Sequence, residues 1–284
     1  MSSRCLLVVD DDPAVRELLA SLVRREECQI QNVSDGKEAL RRFEQTPFDL
    51  IFVGQGRNGL DGIDLLRRVR QIRPETKVIL AGSDSSLPRV VGAMRERAYS
   101  YFHKPLPKGP LADMVQQALE TGPCWQDDIE LVSARPEWIT LEVRCKMDVA
   151  DRVIQFLREM QPDVPAYILD DVLLALRELL LNAIEHGGKN DASKRVRLSV
   201  LRAPSAVMAH LRDPGPGFAM DAIPHAAVSN PNDSPIQHVE IRSELGKRPG
   251  GFGILLARNL VDELRYSEKG NEVWFRKQIR PTAG

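Results

Sequence analysis

Short apolar runs alternate with amphipathic stretches through the first 122 residues of the chain. Strands and helices that alternate in this way are typical of a parallel sheet with helices on both faces. The runs predict strands at 5–9, 29–33, 49–53, 77–81 and 99–102, and the stretches between them predict helices near 13–26, 35–45, 62–72, 86–97 and 108–120. Gly122-Pro123 ends the pattern, so we predict an α/β domain over residues 1–122 and a polar linker over 123–136.

The pattern changes over residues 137–280, where helices and antiparallel strands are segregated. Strands are predicted at 138–145, 194–202, 205–212, 263–268 and 271–279, and helices from about 148, over 165–186 and over 250–263. Such segregation favours a two-layer α/β sandwich. The Pro-, Asn- and Ser-rich stretch before residue 250 is too long for an ordinary connection, so it is expected to be a lid, a binding loop or disordered.

The composition argues against several classes of function. A formal net charge of −1 over 284 residues gives no electrostatic basis for binding nucleic acid or an acidic membrane. No apolar run is long enough to span a bilayer, and the first strand leads directly into acidic residues, unlike a signal peptide. The four cysteines show no CxxC spacing and are expected to be free thiols in a reducing compartment. We therefore expect a cytoplasmic protein.

Three carboxylates, Asp10, Asp11 and Asp12, follow the first predicted strand. Ligands of open parallel sheets bind at the carboxyl ends of the strands. Clustered carboxylates repel one another unless a lysine or a hard cation such as Mg²⁺ neutralises them. Because Asp12 precedes Pro13, it is better explained as a helix N-cap, and Asp10 and Asp11 remain the candidate site residues.

This segment, together with Leu60-Asp61-Gly62 and Tyr101-Phe102-His103-Lys104-Pro105, resembles the response-regulator receiver family. The resemblance covers about 120 residues and implies a flavodoxin-like, five-stranded parallel fold. It implies that Asp10 and Asp11 hold Mg²⁺, that Lys104 belongs to the phosphorylation site, and that Tyr101 reports the conformational state. An ordinary strand aromatic is the alternative interpretation of Tyr101.

The phosphoacceptor position of that family falls on a glycine in this chain. Counting from the third predicted strand and back from Asp61 places it at Gly54, which has no nucleophile. Asp49 begins the strand and Asp61 lies in the following loop, so neither replaces the acceptor, and the family's Ser or Thr falls on Ala81 or Gly82. We therefore expect a pseudo-receiver with a degenerate metal site that works by contact or dimerisation.

Three polar residues, Glu178, Asn182 and His186, are four apart in the helix predicted over 165–186 and lie along one face. Polar groups in such an apolar helix are costly unless they meet partners, which a metal and a polyphosphate would supply. His186 is explained as the last residue before a glycine stop, and Glu178 equally well by an ion pair with a neighbour. Asn182 is harder to explain structurally, because asparagine is a poor helix former.

Two glycine-rich clusters follow this helix in the sequence. Asp213, Gly215 and Gly217 form either a turn after a strand or a site where the carboxylate accepts a hydrogen bond from the amine of a base. The later cluster opens a helix, where free N–H groups and the helix dipole make a cradle for anions. It is neither a Walker loop nor a Rossmann fingerprint. Its members are Gly250, Gly251 and Gly253.

In this order the three clusters resemble the GHKL ATPase superfamily, and most closely its anti-sigma-factor serine kinases. The resemblance covers about residues 136–280 and implies a Bergerat-type fold that binds ATP and Mg²⁺. It implies that Asn182 coordinates Mg²⁺, that Glu178 is the catalytic base, and that Asp213 reads adenine. The other implied ATP contacts are Gly215, Gly217, Gly250, Gly251 and Gly253, with Arg242, Lys247 or Arg248 of the lid at the γ-phosphate.

The positions of the histidines argue against autophosphorylation on histidine, because none lies in a dimerisation helix upstream of Asn182. The leading hypothesis is a signalling kinase that transfers phosphate to Ser or Thr of a partner under control of the pseudo-receiver. By resemblance the partner is an anti-anti-sigma (STAS-type) protein, a sigma factor that the domain sequesters, or both. A non-catalytic, nucleotide-gated binding module is the alternative, a scaffold is a third reading, and homodimerisation stays open.

Overall fold

The computed structural model of the protein describes residues 4–24, 26–54, 61–84, 86–122, 128–161, 163–217 and 253–279. Contacts divide the chain into two compact units. The first contains the described residues up to 128 together with 151–161, and the second contains 129–150 with those from 163 onward. Within these ranges, no helix is long and apolar enough to cross a membrane.

The first unit is built on a five-stranded sheet with the order β2-β1-β3-β4-β5, in which every pair of neighbours is parallel. Its strands are β1 (Arg4–Val9), β2 (Cys28–Val33), β3 (Leu50–Gly54), β4 (Lys77–Gly82) and β5 (Ser100–His103). Its helices between strands and after β5 are α1 (Pro13–Leu22), α2 (Gly36–Gln45), α3 (Gly62–Ile72), α4 (Leu87–Arg95) and α5 (Lys108–Glu120). This strand order is that of flavodoxin-like folds and confirms the predicted class.

Buried apolar strands and aspartate caps at helix starts explain where these elements form. Strands β3 and β4 are buried along their whole length, as expected for central strands of a parallel sheet covered on both faces. All five strands contribute side chains to one core cluster with α1 and α5. The side chains of Asp12, Asp35 and Asp61 accept hydrogen bonds from the first turns of α1, α2 and α3, so each of these helices begins at an aspartate cap.

The second unit is built on a six-stranded antiparallel sheet with the order β10-β11-β9-β8-β7-β6. Its strands are β6 (Ile129–Arg135), β7 (Trp138–Arg144), β8 (Arg195–Ala203), β9 (Ala206–Arg212), β10 (Glu263–Tyr266) and β11 (Glu272–Gln278). Its helices are α7 (Ala166–Asn182), a π-helical turn (Ala183–Gly187) and α8 (Gly253–Leu260). Helix α6 (Val149–Glu159) begins in this unit and continues in the first. An antiparallel sheet with helices confirms the predicted α/β class overall.

Residues 129–135 correct the expectation of a linker over 123–136. They form β6, whose Ile129 lies opposite Val143 of β7 in an antiparallel pair. The strand was missed because it lies at the edge of the sheet and every residue in it is at least partly exposed, which leaves little hydrophobic signal. The domain boundaries 1–122 and 137–280 stay predictions.

The predicted free thiols and the later of the two predicted glycine-rich clusters lie only partly within the described residues. Cys5, Cys28 and Cys145 are free, and burial raises the pKa of the Cys28 and Cys145 thiols to about 11. Cys124, Gly250 and Gly251 lie outside the described residues. The helix predicted over 250–263 is therefore described only as the shorter α8.

A buried lysine closes the C-terminus of α5. Lys77, at the start of β4, is 4% exposed, and its ammonium donates to the carbonyls of Ala118 and Thr121 at 2.5 and 2.7 Å. It also donates to the Thr121 hydroxyl at 2.9 Å. A positive charge is favourable at the last carbonyls of a helix, so these contacts compensate the burial of the charge.

Replacing Lys77→Met should lower the free energy of unfolding by about 1–3 kcal/mol, because the carbonyls of Ala118 and Thr121 lose a buried donor. Chemical denaturation measures the change. Lys37→Met is the matched control, since Lys37 is exposed at the start of α2, and it should change the stability by about 0.5 kcal/mol or less. Equal stabilities of the two variants would contradict the capping role.

Candidate functional site

The first candidate site lies in the first unit, where β1 ends. Asp10 has a fully buried carboxylate, whose Oδ2 accepts a hydrogen bond from the Lys104 ammonium at 2.8 Å. Its Oδ1 accepts from the backbone N–H of Asp12 at 2.9 Å. The structure therefore brings the predicted residues Asp10 and Lys104 together, although they are 94 residues apart in the chain.

Gly54 ends β3 directly beneath this carboxylate. A Cβ atom built on Gly54 would lie 1.6 Å from Oδ2 of Asp10 and 2.5 Å from its Cγ. Real Cβ atoms do not approach other atoms so closely, so any larger residue at position 54 requires the Asp10 side chain to move. The Asp10 carboxylate therefore fills the volume into which a side chain at position 54 would project.

The magnesium site that the receiver resemblance implies at Asp10 and Asp11, and that we expected to be degenerate, does not fit this arrangement. The Asp10 carboxylate is already neutralised by Lys104, and Asp11 is exposed. Across the described part of the chain, no group of three His, Cys, Asp or Glu side chains is arranged to hold a metal ion. Because hard cations need several oxygen ligands, we derive no role for a metal at this site.

Tyr101 and Asp61 occupy separate positions around the same sheet edge. The Tyr101 ring is 1% exposed, its hydroxyl donates to the Asp84 carbonyl at 2.6 Å, and burial raises its pKa to about 12. Asp61 caps α3 and forms an ion pair with Arg89 at 2.7 Å. In this conformation Tyr101 is therefore a buried strand residue whose hydroxyl is bonded to the loop after β4. Leu60 lies outside the described residues.

The second candidate site lies in the second unit, where α7 meets the first residue of α8. A Cβ atom built on Gly253 would lie 2.9 Å from a carboxylate oxygen of Glu178 and 3.3 Å from the amide nitrogen of Asn182. The predicted residues Glu178, Asn182 and Gly253 therefore converge, and a side chain at position 253 would be tightly packed against the other two. The Glu178 side chain is 14% exposed and lies 3.4 Å from Arg177.

Asp213 follows β9 and is held by backbone groups. Its N–H donates to the Asn271 carbonyl at 3.0 Å, and its carboxylate accepts from the N–H of Gly215 at 2.7 Å. Burial raises the pKa of the Asp213 carboxyl, while the Gly215 N–H and the Lys269 charge oppose the shift. Gly217 adopts a φ of 86° beside the Lys269 carbonyl, a backbone conformation that favours glycine.

Two residues beside Asp213 were not predicted to belong to the site. Gly187 was expected only to end a helix, but a Cβ atom on it would lie 2.3 Å from the Asp213 carboxylate. Gly187 is the last residue of a π-helical turn, in which the Gly188 N–H donates a hydrogen bond to the Ala183 carbonyl. Such turns are frequent at functional sites. Burial, with the nearby Asp213 charge, raises the pKa of Tyr266. The Gly187-Gly188 pair was the available sequence signal, whereas nothing in the sequence singles out Tyr266.

His186 is confirmed as a residue of the helix end, in the last turn before Gly188 and 44% exposed. Gly250, Gly251 and the lid residues lie outside the described residues, so their predicted phosphate contacts stay predictions. Those lid residues are Arg242, Lys247 and Arg248.

Comparison with known families now assigns both units. Residues 6–116 match the model of the response regulator receiver domain, and residues 144–277 match that of the histidine kinase-like ATPase domain. The chain joins a receiver domain to a histidine kinase-like ATPase domain. The first candidate site lies in the receiver domain and the second in the ATPase domain, and an ATPase domain of this kind implies ATP binding. This combination points to a role in signalling.

Several individual proteins are similar to part of the chain. The response regulator protein PilR of Pseudomonas aeruginosa is 31% identical over 119 residues, 42% of this chain and 27% of that protein. The transcriptional regulatory protein GlrR of Escherichia coli is 30% identical over 115 residues, 40% of this chain and 26% of that protein. The chain thus spans about a quarter of the length of the curated relatives it matches.

Among solved structures, the signal receiver domain of an HD domain-containing protein from Pseudomonas fluorescens Pf-5 matches with a TM-score of 0.39 and 28% identity. The match covers 42% of this chain and 96% of that one.

Replacing Asp213→Asn should stabilise the ATPase domain near neutral pH when no nucleotide is present. Because the pKa of Asp213 is raised in the folded protein, its ionised carboxylate destabilises the folded state at pH values above that pKa. The destabilisation disappears as the pH falls through the folded-state pKa and the carboxylate takes up a proton. Because the site is partly solvated, we expect a gain of about 1 kcal/mol or less that shrinks towards about pH 4. Thermal denaturation across this range measures it, with the exposed Glu268→Gln as control. A loss of stability at neutral pH would contradict the interpretation.

Proposed function

We propose that this protein is a bacterial signalling kinase that binds ATP with Mg²⁺ and phosphorylates Ser or Thr of a partner protein. The observation that carries the proposal is the convergence of Glu178, Asn182 and the backbone of Gly253. These residues supply an amide ligand, a carboxylate and a helix N-terminus within one small region of the ATPase domain. Asp213, at the end of β9, supplies a carboxylate suited to an adenine amine.

The residues present fit a bound Mg·ATP. The Asn182 carboxamide oxygen is a suitable ligand for Mg²⁺, which neutralises phosphate charge when it is bound. Gly253 begins α8, where unpaired N–H groups and the helix dipole favour phosphate oxygens. A side chain at position 253 would fill the space beside Asn182, so the glycine keeps it open.

Glu178 is the proposed catalytic base. Its carboxylate accepts or orients the proton of the acceptor hydroxyl, while the hydroxyl oxygen bonds to the γ-phosphorus. The bond from that phosphorus to the β,γ-bridging oxygen breaks, and ADP leaves. By resemblance to anti-sigma-factor kinases, the acceptor belongs to an anti-anti-sigma (STAS-type) protein, and the ATPase domain also binds a sigma factor.

A second candidate function is a non-catalytic, nucleotide-gated binding module. The contact between Glu178 and Arg177 at 3.4 Å favours it, because this ion pair is enough to explain the carboxylate without a catalytic role. In this case ATP orders the protein surface for a partner without transfer of phosphate. Partner affinity that depends on ATP, with no transfer, would select this function.

Radiolabelled ATP and the STAS-type proteins of the same organism test the kinase. Glu178→Gln should lower transfer by about 10²–10⁴-fold while nucleotide binding is retained, because only the base is removed. Asn182→Ala should weaken binding of Mg·ATP itself. Asp170→Asn is the matched control, since this carboxylate is exposed two turns earlier in α7, and it should transfer like the wild type. Equal rates for Glu178→Gln and wild type would refute the catalytic role.

We also propose that the receiver domain takes no phosphate at the family's acceptor position, which is occupied by Gly54. Acetyl phosphate with Mg²⁺ should leave the receiver domain unlabelled, and a receiver domain that retains the acceptor aspartate serves as positive control. A stable acyl phosphate on residues 4–122 would overturn the proposal.

Gly54→Asp tests whether the Asp10 carboxylate fills the space beside position 54. The new side chain would displace the Asp10 carboxylate from Lys104, so the free energy of unfolding should fall by about 1–3 kcal/mol. Unchanged stability would show that Asp10 does not hold this volume.

A further inference from the structure

Helix α6 carries a stripe of buried polar side chains. Arg152, Gln155 and Glu159 are 4%, 5% and 9% exposed, and their spacing of three and four places them on one helix face. Polar groups are rarely buried to this extent unless they meet partners. We call these three side chains the α6 ladder.

The partners of the ladder are backbone groups at alternate positions of the segment that ends in β5. The Arg152 Nε donates to the Tyr99 carbonyl and the Gln155 Nε2 to the Tyr101 carbonyl, each at 3.0 Å. The Glu159 carboxylate accepts from the backbone N–H of His103. Because β5 is the edge strand of its sheet, the ladder pairs backbone groups that the sheet leaves open.

Further contacts fix the ladder in place. Arg152 forms a buried ion pair with Asp128 at 3.0 Å, and its guanidinium lies 4.3 Å from the centre of the Tyr99 ring. Gln155 also donates to Glu159 at 2.7 Å. Burial raises the pKa of Glu159, against the His103 N–H, which lowers it. A connected network of this kind specifies one position of α6 on β5.

Helix α6 connects the family match of the ATPase domain with the compact unit of the receiver domain. The helix lies inside residues 144–277, which match the ATPase domain model, yet residues 151–161 belong to the same compact unit as the receiver domain. The chain enters α6 from β7 and leaves it towards α7, which carries Glu178 and Asn182. Lys104, the partner of Asp10, directly follows the strand that the ladder binds.

We propose that the α6 ladder is the surface through which the receiver domain acts on nucleotide binding in the same chain. A shift of β5 moves the three backbone groups that hold α6, and residues 160–165 connect α6 to the helix that carries Glu178 and Asn182. The inference rests on the proposed function only in requiring that the ATPase domain binds nucleotide. It requires no phosphorylation of the receiver domain.

A double-mutant cycle on the full chain tests the proposal, with the affinity for Mg·ADP as the readout. Lys104→Met perturbs the receiver site by removing the partner of Asp10, and Gln155→Leu breaks the ladder at its centre. Lys104→Met should change the affinity by about fivefold or more in the wild-type background and by less than about twofold in Gln155→Leu. Arg158→Lys, half-buried on the same helix, is the control and should leave the effect of Lys104→Met intact.

Each outcome decides one question. Effects of Lys104→Met that are equal with and without the ladder, or no effect at all, overturn the inference while nucleotide binding stands. A wild-type chain that binds no Mg·ADP overturns the proposed function and the inference with it. If Gln155→Leu does not fold, the same cycle is run with Arg152→Lys, which keeps a cation beside Asp128 but loses the bond geometry to Tyr99.

Discussion

The ion pair between the buried Asp10 carboxylate and Lys104 decides what can occupy the space beside Gly54 in the receiver domain. A carboxylate with no exposed surface is tolerated only where a cation and hydrogen-bond donors meet it, and here Lys104 and the Asp12 N–H do so. The carboxylate takes the volume above Gly54, so the ion pair and a larger residue at position 54 exclude one another in this arrangement. The absence of a side chain at position 54 therefore allows the Asp10 carboxylate to pack there and to pair with Lys104.

The same strand end connects this constraint to α6. Lys104 follows β5, and the backbone of the residues before it is bound by Arg152, Gln155 and Glu159. Strand β5 therefore lies between two sets of contacts, the Asp10–Lys104 ion pair at its end and the α6 side chains on its backbone. In the proposed scheme, binding events that shift β5 replace phosphorylation as the input, which agrees with the expectation of a pseudo-receiver that works by contact.

The ATPase domain shows a different use of glycine. Gly187 and Gly253 allow the backbone to approach the side chains of Asp213 and of Glu178 and Asn182, respectively. Burial of the Asp213 carboxyl beside Gly187 raises its pKa, so its ionised form is disfavoured at this position. Carboxyl groups with shifted pKa values cluster at functional sites, and they are a common source of the trade-off between stability and function.

Much of the fold and part of each site could be predicted from the sequence. The hydrophobic periodicity, the residues that cap helices and the residue types within a motif are properties of short segments of the chain. The alternation of strands and helices gave the parallel sheet, the Asp12 cap before Pro13 gave the start of α1, and the spacing of Glu178 and Asn182 gave a shared helix face. Strand β6 escaped because an edge strand with no buried residue carries little hydrophobic signal.

The tertiary structure alone decided which distant residues meet. Asp10 over Gly54 with Lys104, Gly187 against Asp213, and the α6 ladder on β5 all join residues far apart in the chain. No local pattern records such contacts, since the same helical period fits a helix packed on either unit. The sequence determined the two domains and the chemistry they carry, and the packing of buried polar groups decided that the receiver site is closed and that α6 binds the receiver's edge strand.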